Sequence, residues 1–163
     1  MNSRRVFLCA LCVLCGESCL PAQQKPYLGI QEKLPLAVAP QPVTFSHRQH
    51  AAAGAKCTGC HSTALTAERA GLPQAVHCKV CHPAMQLPPK INWVRVYKLP
   101  DFAFFSHAAH AQTAAIACEA CHGPVATRDV VQKEVSTSMR NCVECHRARK
   151  ASTDCSRCHE LGQ

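Results

Sequence analysis

One pentapeptide constrains this chain more than any other feature. The pattern Cys-x-x-Cys-His occurs five times, at residues 57–61 (CTGCH), 78–82 (CKVCH), 118–122 (CEACH), 142–146 (CVECH) and 155–159 (CSRCH). These copies take ten of the fourteen cysteines. Random order of the same composition would give on the order of 0.07 copies. The spacing has a physical reason. On a helical turn, positions i, i+3 and i+4 share a face. Both thiols and the imidazole then point one way, and the two middle residues point elsewhere. A flat ligand with two thiol-reactive groups around a central metal suits such a turn, and the pentapeptide is the attachment sequence of haem c.

Other uses of paired cysteines fit less well. Zinc sites combine two knuckles to fill four tetrahedral positions. A disulfide framework gives no reason for a histidine after every pair. A thioredoxin-like motif stands once beside a βαβ pattern, and no such pattern is visible. The sequence therefore predicts five covalently bound haem c groups. Their thioethers form at Cys57, Cys60, Cys78, Cys81, Cys118, Cys121, Cys142, Cys145, Cys155 and Cys158. The proximal iron ligands are His61, His82, His122, His146 and His159.

Each iron has a second axial position, and five histidines remain: His47, His50, His77, His107 and His110. Four of them belong to a repeat. Phe45-Ser46-His47-Arg48-Gln49-His50 precedes Cys57 by seven residues, and Phe105-Ser106-His107-Ala108-Ala109-His110 precedes Cys118 by eight. Histidines at i and i+3 of a helix diverge enough to serve two haems, so His47, His50, His107 and His110 are expected as distal ligands. His77 adjoins Cys78 and is badly placed for its own haem. The fifth distal ligand stays open between His77, serving a neighbouring haem, and Met139, three residues before Cys142. Met85 is a weaker rival, and an open site is the remaining alternative. A Met/His iron would have a raised potential.

The chain begins with Arg4 and Arg5, an apolar run from Val6 to Cys15, and a break at Gly16-Glu17-Ser18. A bilayer-spanning helix needs about 20 apolar residues, so this is read as a cleaved export signal over 1–22. Cys9, Cys12, Cys15 and Cys19 fall inside it, and the residues before Cys19 make a poor lipidation sequence. Residues 23–42, with Pro26, Pro35, Pro40 and Pro42, read as an extended arm. A pentahaem domain over 43–163 follows. Its parts are a two-haem half (43–88), a connector (89–104) and a three-haem half (105–163). Within the connector, Trp93 to Leu99 is strand-like, and Asp129 to Val135 is read as a short helix or strand.

Cleavage near residue 22 leaves about 141 residues, roughly 28 per haem. The chain has one Trp, two Tyr and five Phe, too few for a conventional layered core. The expected fold class is short α-helices and irregular backbone wrapped around a haem cluster, with at most a small β-hairpin.

The FSHxxH-then-CxxCH order resembles the class III multihaem cytochromes, small low-potential proteins with bis-histidine haems. The resemblance implies that His47 serves the haem at Cys57/Cys60 and His107 the haem at Cys118/Cys121, with His50 and His110 reaching other haems. A narrower stretch, Trp93 to Phe102 followed by Phe105-Ser106-His107, with Ser138-Met139 and His146-Arg147, is similar to the pentahaem subunit of alternative complex III. That family implies a membrane quinol-oxidising assembly.

These readings predict an electron carrier rather than an enzyme. It would be exported to the periplasm, with membrane contact at most peripheral, exchanging electrons with a quinol-linked or molybdenum-containing oxidoreductase. The alternatives are a reductase with one open haem, and a structural subunit of a larger cytochrome complex or haem wire. The formal charge of +8 is offset by haem propionates. The Lys and Arg residues are scattered, so nucleic-acid binding is not expected.

Overall fold

The computed structural model describes Leu34, Val38 and residues 40–160. The segment 1–22 expected to be an export signal, its four cysteines and most of the expected arm at 23–42 lie outside the described residues. Six short α-helices occur among them: α1 (His47–Ala52), α2 (Cys57–Cys60), α3 (Ala75–Lys79), α4 (Glu119–His122), α5 (Met139–Ala148) and α6 (Cys155–Cys158). A π-helical segment (Ala108–Thr113) and a 3₁₀ turn (Val125–Thr127) complete the set. Among the described residues there is no β-strand, only an isolated bridge between Ala103 and His159. The short-helix, irregular-backbone architecture is the expected one.

The two FSHxxH repeats fold alike because each residue type has a local task. Ser46 caps α1, its hydroxyl accepting from the Gln49 N–H at 3.1 Å. Ser106 accepts from the Ala109 N–H at 3.2 Å. Capping of this kind satisfies a donor that a helix start leaves without a partner. Phe45 stacks on His50 at 4.3 Å and meets His47 edge-on at 4.8 Å. Phe105 repeats this with His110 at 4.4 Å and His107 at 4.9 Å.

The repeats differ by one residue, and the helix type changes with it. In α1 the Ala53 N–H bonds to the Gln49 carbonyl, four residues back. In the second repeat the Ala114 N–H reaches Ala109, five back. An extra residue inside a helix makes a π turn, which absorbs the longer spacing from His110 to Cys118. Both segments then close on the carbonyl of the second histidine, Ala55 N–H to His50 C=O five residues back and Ile116 N–H to His110 C=O six back, the extra residue lying inside the second closure. This closure needs one left-handed residue. Gly54 supplies it at φ 85°, and Ala115 at φ 49°. Lys150 (φ 57°) does the same after α5, where Ala151 N–H bonds to His146 C=O.

Two secondary-structure expectations are corrected. Trp93 to Leu99 is not a strand. Its β-branched and aromatic residues favour extended backbone, but no second strand pairs with it among the described residues. Side-chain amides take the place of a neighbouring strand. Gln41 bonds both the N–H and the C=O of Val94 at 3.0 Å, and Gln74 Oε1 accepts from the Ile91 N–H at 2.8 Å. The Trp93 indole N–H donates to the Pro73 carbonyl at 2.6 Å. Asp129 to Val135 is neither helix nor strand. Ion pairs shape this loop instead. The Arg128 guanidinium holds both oxygens of Glu134, at 2.6 and 2.9 Å, and Asp129 accepts from Ser46 Oγ at 2.6 Å and from Arg48.

The apolar interior is thin, as the composition implies. Among the described residues the buried hydrophobic side chains are Ala75 and Ile91. Large apolar side chains stand exposed instead, Val76 (68%), Val80 (80%) and Met139 (68%) among them.

Candidate functional site

Each CxxCH unit forms one helical turn. The histidine N–H bonds to the carbonyl of the first cysteine in four units: His61 to Cys57, His82 to Cys78, His122 to Cys118 and His159 to Cys155, at 2.8–3.0 Å. The remaining unit, Cys142 to His146, lies inside α5. None of these ten cysteines is paired in a disulfide, and all are exposed or partly exposed.

The histidines come together in pairs. His50 and His82 have ring centres 6.2 Å apart, His107 and His122 6.3 Å, and His110 and His146 6.1 Å. An iron–nitrogen bond of about 2 Å, plus roughly 1.1 Å from nitrogen to ring centre on each side, puts opposed imidazole centres about 6.2 Å apart. Each pair is thus spaced for one iron. His47 lies close enough to His61 to feel its charge. Burial, then His61 and His50, lowers the His47 pKa. Burial, then His107 and His61, does the same for His122, with Glu119 opposing. Lowered values keep both rings neutral, the form that ligates metal.

Hydrogen bonds set which ring nitrogen is free. A backbone carbonyl can only accept, so a ring nitrogen bonded to it must carry the proton. Nδ1–H donates to Ser46 O from His50, Gly71 O from His61, Glu68 O from His107 and Ser106 O from His110. His146 donates to Ser152 O and His159 to Phe102 O. These six distances run from 2.6 to 3.1 Å. Each bond leaves Nε2 as a lone pair for a metal and fixes the ring orientation.

His77 has the opposite polarity. Its Nδ1 accepts from the Gln74 N–H at 3.1 Å, as part of a capping box on α3. Neutral His77 therefore carries its proton on Nε2 and offers no lone pair there. The three ring pairs that are spaced for an iron do not include it. Met139 sits at the start of α5, one turn before Cys142.

The thiols form a neighbour map. Burial, then Cys78, Cys81 and Cys57, pushes the Cys60 thiol up. Burial, then Cys57 and Glu119, does so for Cys118. For Cys121 the causes are burial of the sulfur, then Cys145 and Cys142. Cys142 is raised by burial, then by Cys158 and Cys145.

Tyr97 stands out in the sequence only for strand propensity, yet it organises one site. Its hydroxyl accepts from the N–H groups of Glu134 (3.0 Å) and Val135 (3.3 Å) and donates to His122 O (3.3 Å). Its ring stands edge-on to His122 at 4.6 Å. A tyrosine in an isolated aromatic segment gives no sequence signal for such a role.

The residues fit haem c. Paired thiols stand one turn apart, neutral imidazoles are spaced for an iron, and exposed apolar side chains match a large apolar plate. Residues 103–160 match the family model for cytochrome c7 and related cytochrome c. The chain is also 33% identical, over an alignment of 98 residues, to the menaquinone reductase, multiheme cytochrome c subunit, of Nitratidesulfovibrio vulgaris (strain Hildenborough). That alignment covers 50% of this chain and 45% of the relative, so the chain spans less than half of the protein it matches. The motifs, the geometry and these two similarities together support a multihaem c-type cytochrome with covalently held haem c.

Proposed function

We propose that this chain is an exported pentahaem cytochrome that carries electrons between a quinone-linked oxidoreductase and a second redox partner. The observation that carries this reading is the set of imidazole pairs at 6.1–6.3 Å. Haem iron supplies one-electron chemistry by cycling between ferric and ferrous states. The paired imidazoles would hold the iron from both sides and so would keep substrates off it. In this reading His47, His50, His107 and His110 face His61, His82, His122 and His146 in turn. Met139 then serves the iron of His159. That choice is favoured over His77 because Gln74 holds the His77 ring in the wrong tautomer, and because the Cys142 thiol, one turn from Met139, neighbours Cys158.

The relative's description as part of a menaquinone reductase, and the resemblance of residues 93–146 to the alternative complex III subunit, support a membrane quinone-oxidising or quinone-reducing partner. No helix among the described residues is long and apolar enough to cross a membrane. In this reading the quinone chemistry belongs to that partner. The segment 1–22 is read as the export signal that takes the chain to the periplasm. Intact mass and N-terminal sequence of protein matured in a cytochrome c-producing host test this reading. Five haems on a chain starting near residue 22 are expected. Fewer haems, or an uncleaved leader, would overturn it.

A further inference from the structure

We propose that the five attachment sites lie in the linear order second, first, third, fourth, fifth, with the first and third meeting across a pseudo-twofold axis. The proposal rests on the pentahaem reading and adds an arrangement that the chain order alone does not give.

Four geometric links build the order. Helix α1 carries His47 and His50 one turn apart, and His50 faces His82. The first and second sites are therefore neighbours through α1. The second repeat does the same with His107 facing His122 and His110 facing His146, which makes the third and fourth sites neighbours.

The repeats then dock on each other reciprocally. The Arg48 N–H bonds to Arg128 O, in the segment that follows the third CxxCH unit. The His107 and Ala108 N–H groups bond to Glu68 O and Ala67 O, in the segment that follows the first. In both directions the contact falls at the first histidine of FSHxxH. The ends bearing His47 and His107 thus face the axis, and those bearing His50 and His110 face outward. The first and third sites meet in the middle, with the second and fourth beyond them.

The fifth site extends the fourth. A short return of the chain joins His146 to Cys155, and the His146 ring donates to Ser152 O within it. The fifth site is then fixed by Phe104 N–H to Cys158 O at 2.8 Å, by the bridge from Ala103 to His159 and by His159 Nδ1–H to Phe102 O. The thiol neighbours agree at every junction: Cys60 with Cys78 and Cys81, Cys118 with Cys57, Cys121 with Cys145 and Cys142, and Cys142 with Cys158.

The second and fifth sites are then the two ends. They lie in opposite halves of the chain, and the shortest path between them runs through the Cys57–Cys118 contact.

Anomalous diffraction at the iron edge, from crystals of the mature holoprotein, tests the order. Each iron is located and assigned to its cysteine pair by the density. The expected nearest neighbours are second–first, first–third, third–fourth and fourth–fifth, with the second and fifth irons farthest apart. Five irons in any other sequence of neighbours would overturn the order alone. Fewer than five irons in fully loaded protein would overturn the pentahaem reading and the order together.

Discussion

Replacing Tyr97 by Phe removes one oxygen and nothing else, so its effect can be worked from the structure. The ring stays edge-on to His122 at 4.6 Å, and the apolar contacts are kept. Three backbone groups lose a partner: the N–H groups of Glu134 and Val135, and the carbonyl of His122. A buried group left without its partner costs about 1–3 kcal/mol. Two of these three bonds are long, at 3.3 Å, and the groups are only partly buried, so water recovers part of the loss. The expected destabilisation is about 1–2 kcal/mol. Guanidinium unfolding of the holoprotein, followed by Soret absorbance and circular dichroism, measures it. Haem content and spin state should not change, because the ring and the iron ligands remain. A midpoint equal to wild type would refute the argument that Tyr97 anchors the 134–135 loop to the third site.

Four further outcomes are expected. His110→Ala should leave one haem high-spin and able to bind CO, whereas His77→Ala should leave every spin state unchanged; electron paramagnetic resonance distinguishes them. Ala115→Gly should stabilise the protein by about 1 kcal/mol, because a left-handed residue with a Cβ costs about 1–2 kcal/mol, part of which is returned by glycine's freedom in the unfolded chain. Gly54→Ala should destabilise by a similar amount through φ alone, since an added Cβ there meets nothing within 4 Å; denaturation midpoints check both. The Arg128 hydrogen bond holds the Glu134 carboxyl below its ordinary value of 4.5. Its contribution is therefore present above that value and lost as pH falls through the lower folded one. The stability difference between wild type and Glu134→Gln should be constant near neutrality and vanish in acid, and unfolding midpoints across that range read it.

The parts of this structure legible in the sequence are those set by local rules. Five CxxCH turns follow from i, i+3, i+4 geometry, and a helix at each FSHxxH follows from a serine cap before two histidines one turn apart. The π segment is also written in the sequence, as the eight-residue approach to Cys118 against seven to Cys57. Only the paired hydrogen-bond patterns show that the helix, not the loop, takes up the extra residue. Trp93 to Leu99 misleads because strand propensity describes a pleated, half-buried surface, and here side-chain amides of Gln41 and Gln74 stand in for a strand. The same non-local bonding hides Tyr97. The choice between His77 and Met139 turns on a proton position that spacing cannot reveal, namely the Gln74 N–H donating to His77.

The most direct test of the account is the spin state of the purified holoprotein, by low-temperature electron paramagnetic resonance of the ferric form and CO addition to the ferrous form. All haems low-spin, with no response to CO, is the predicted result, since every iron then has two protein ligands and the chain can only pass electrons. A high-spin haem that binds CO would contradict it, because an open iron is a substrate site.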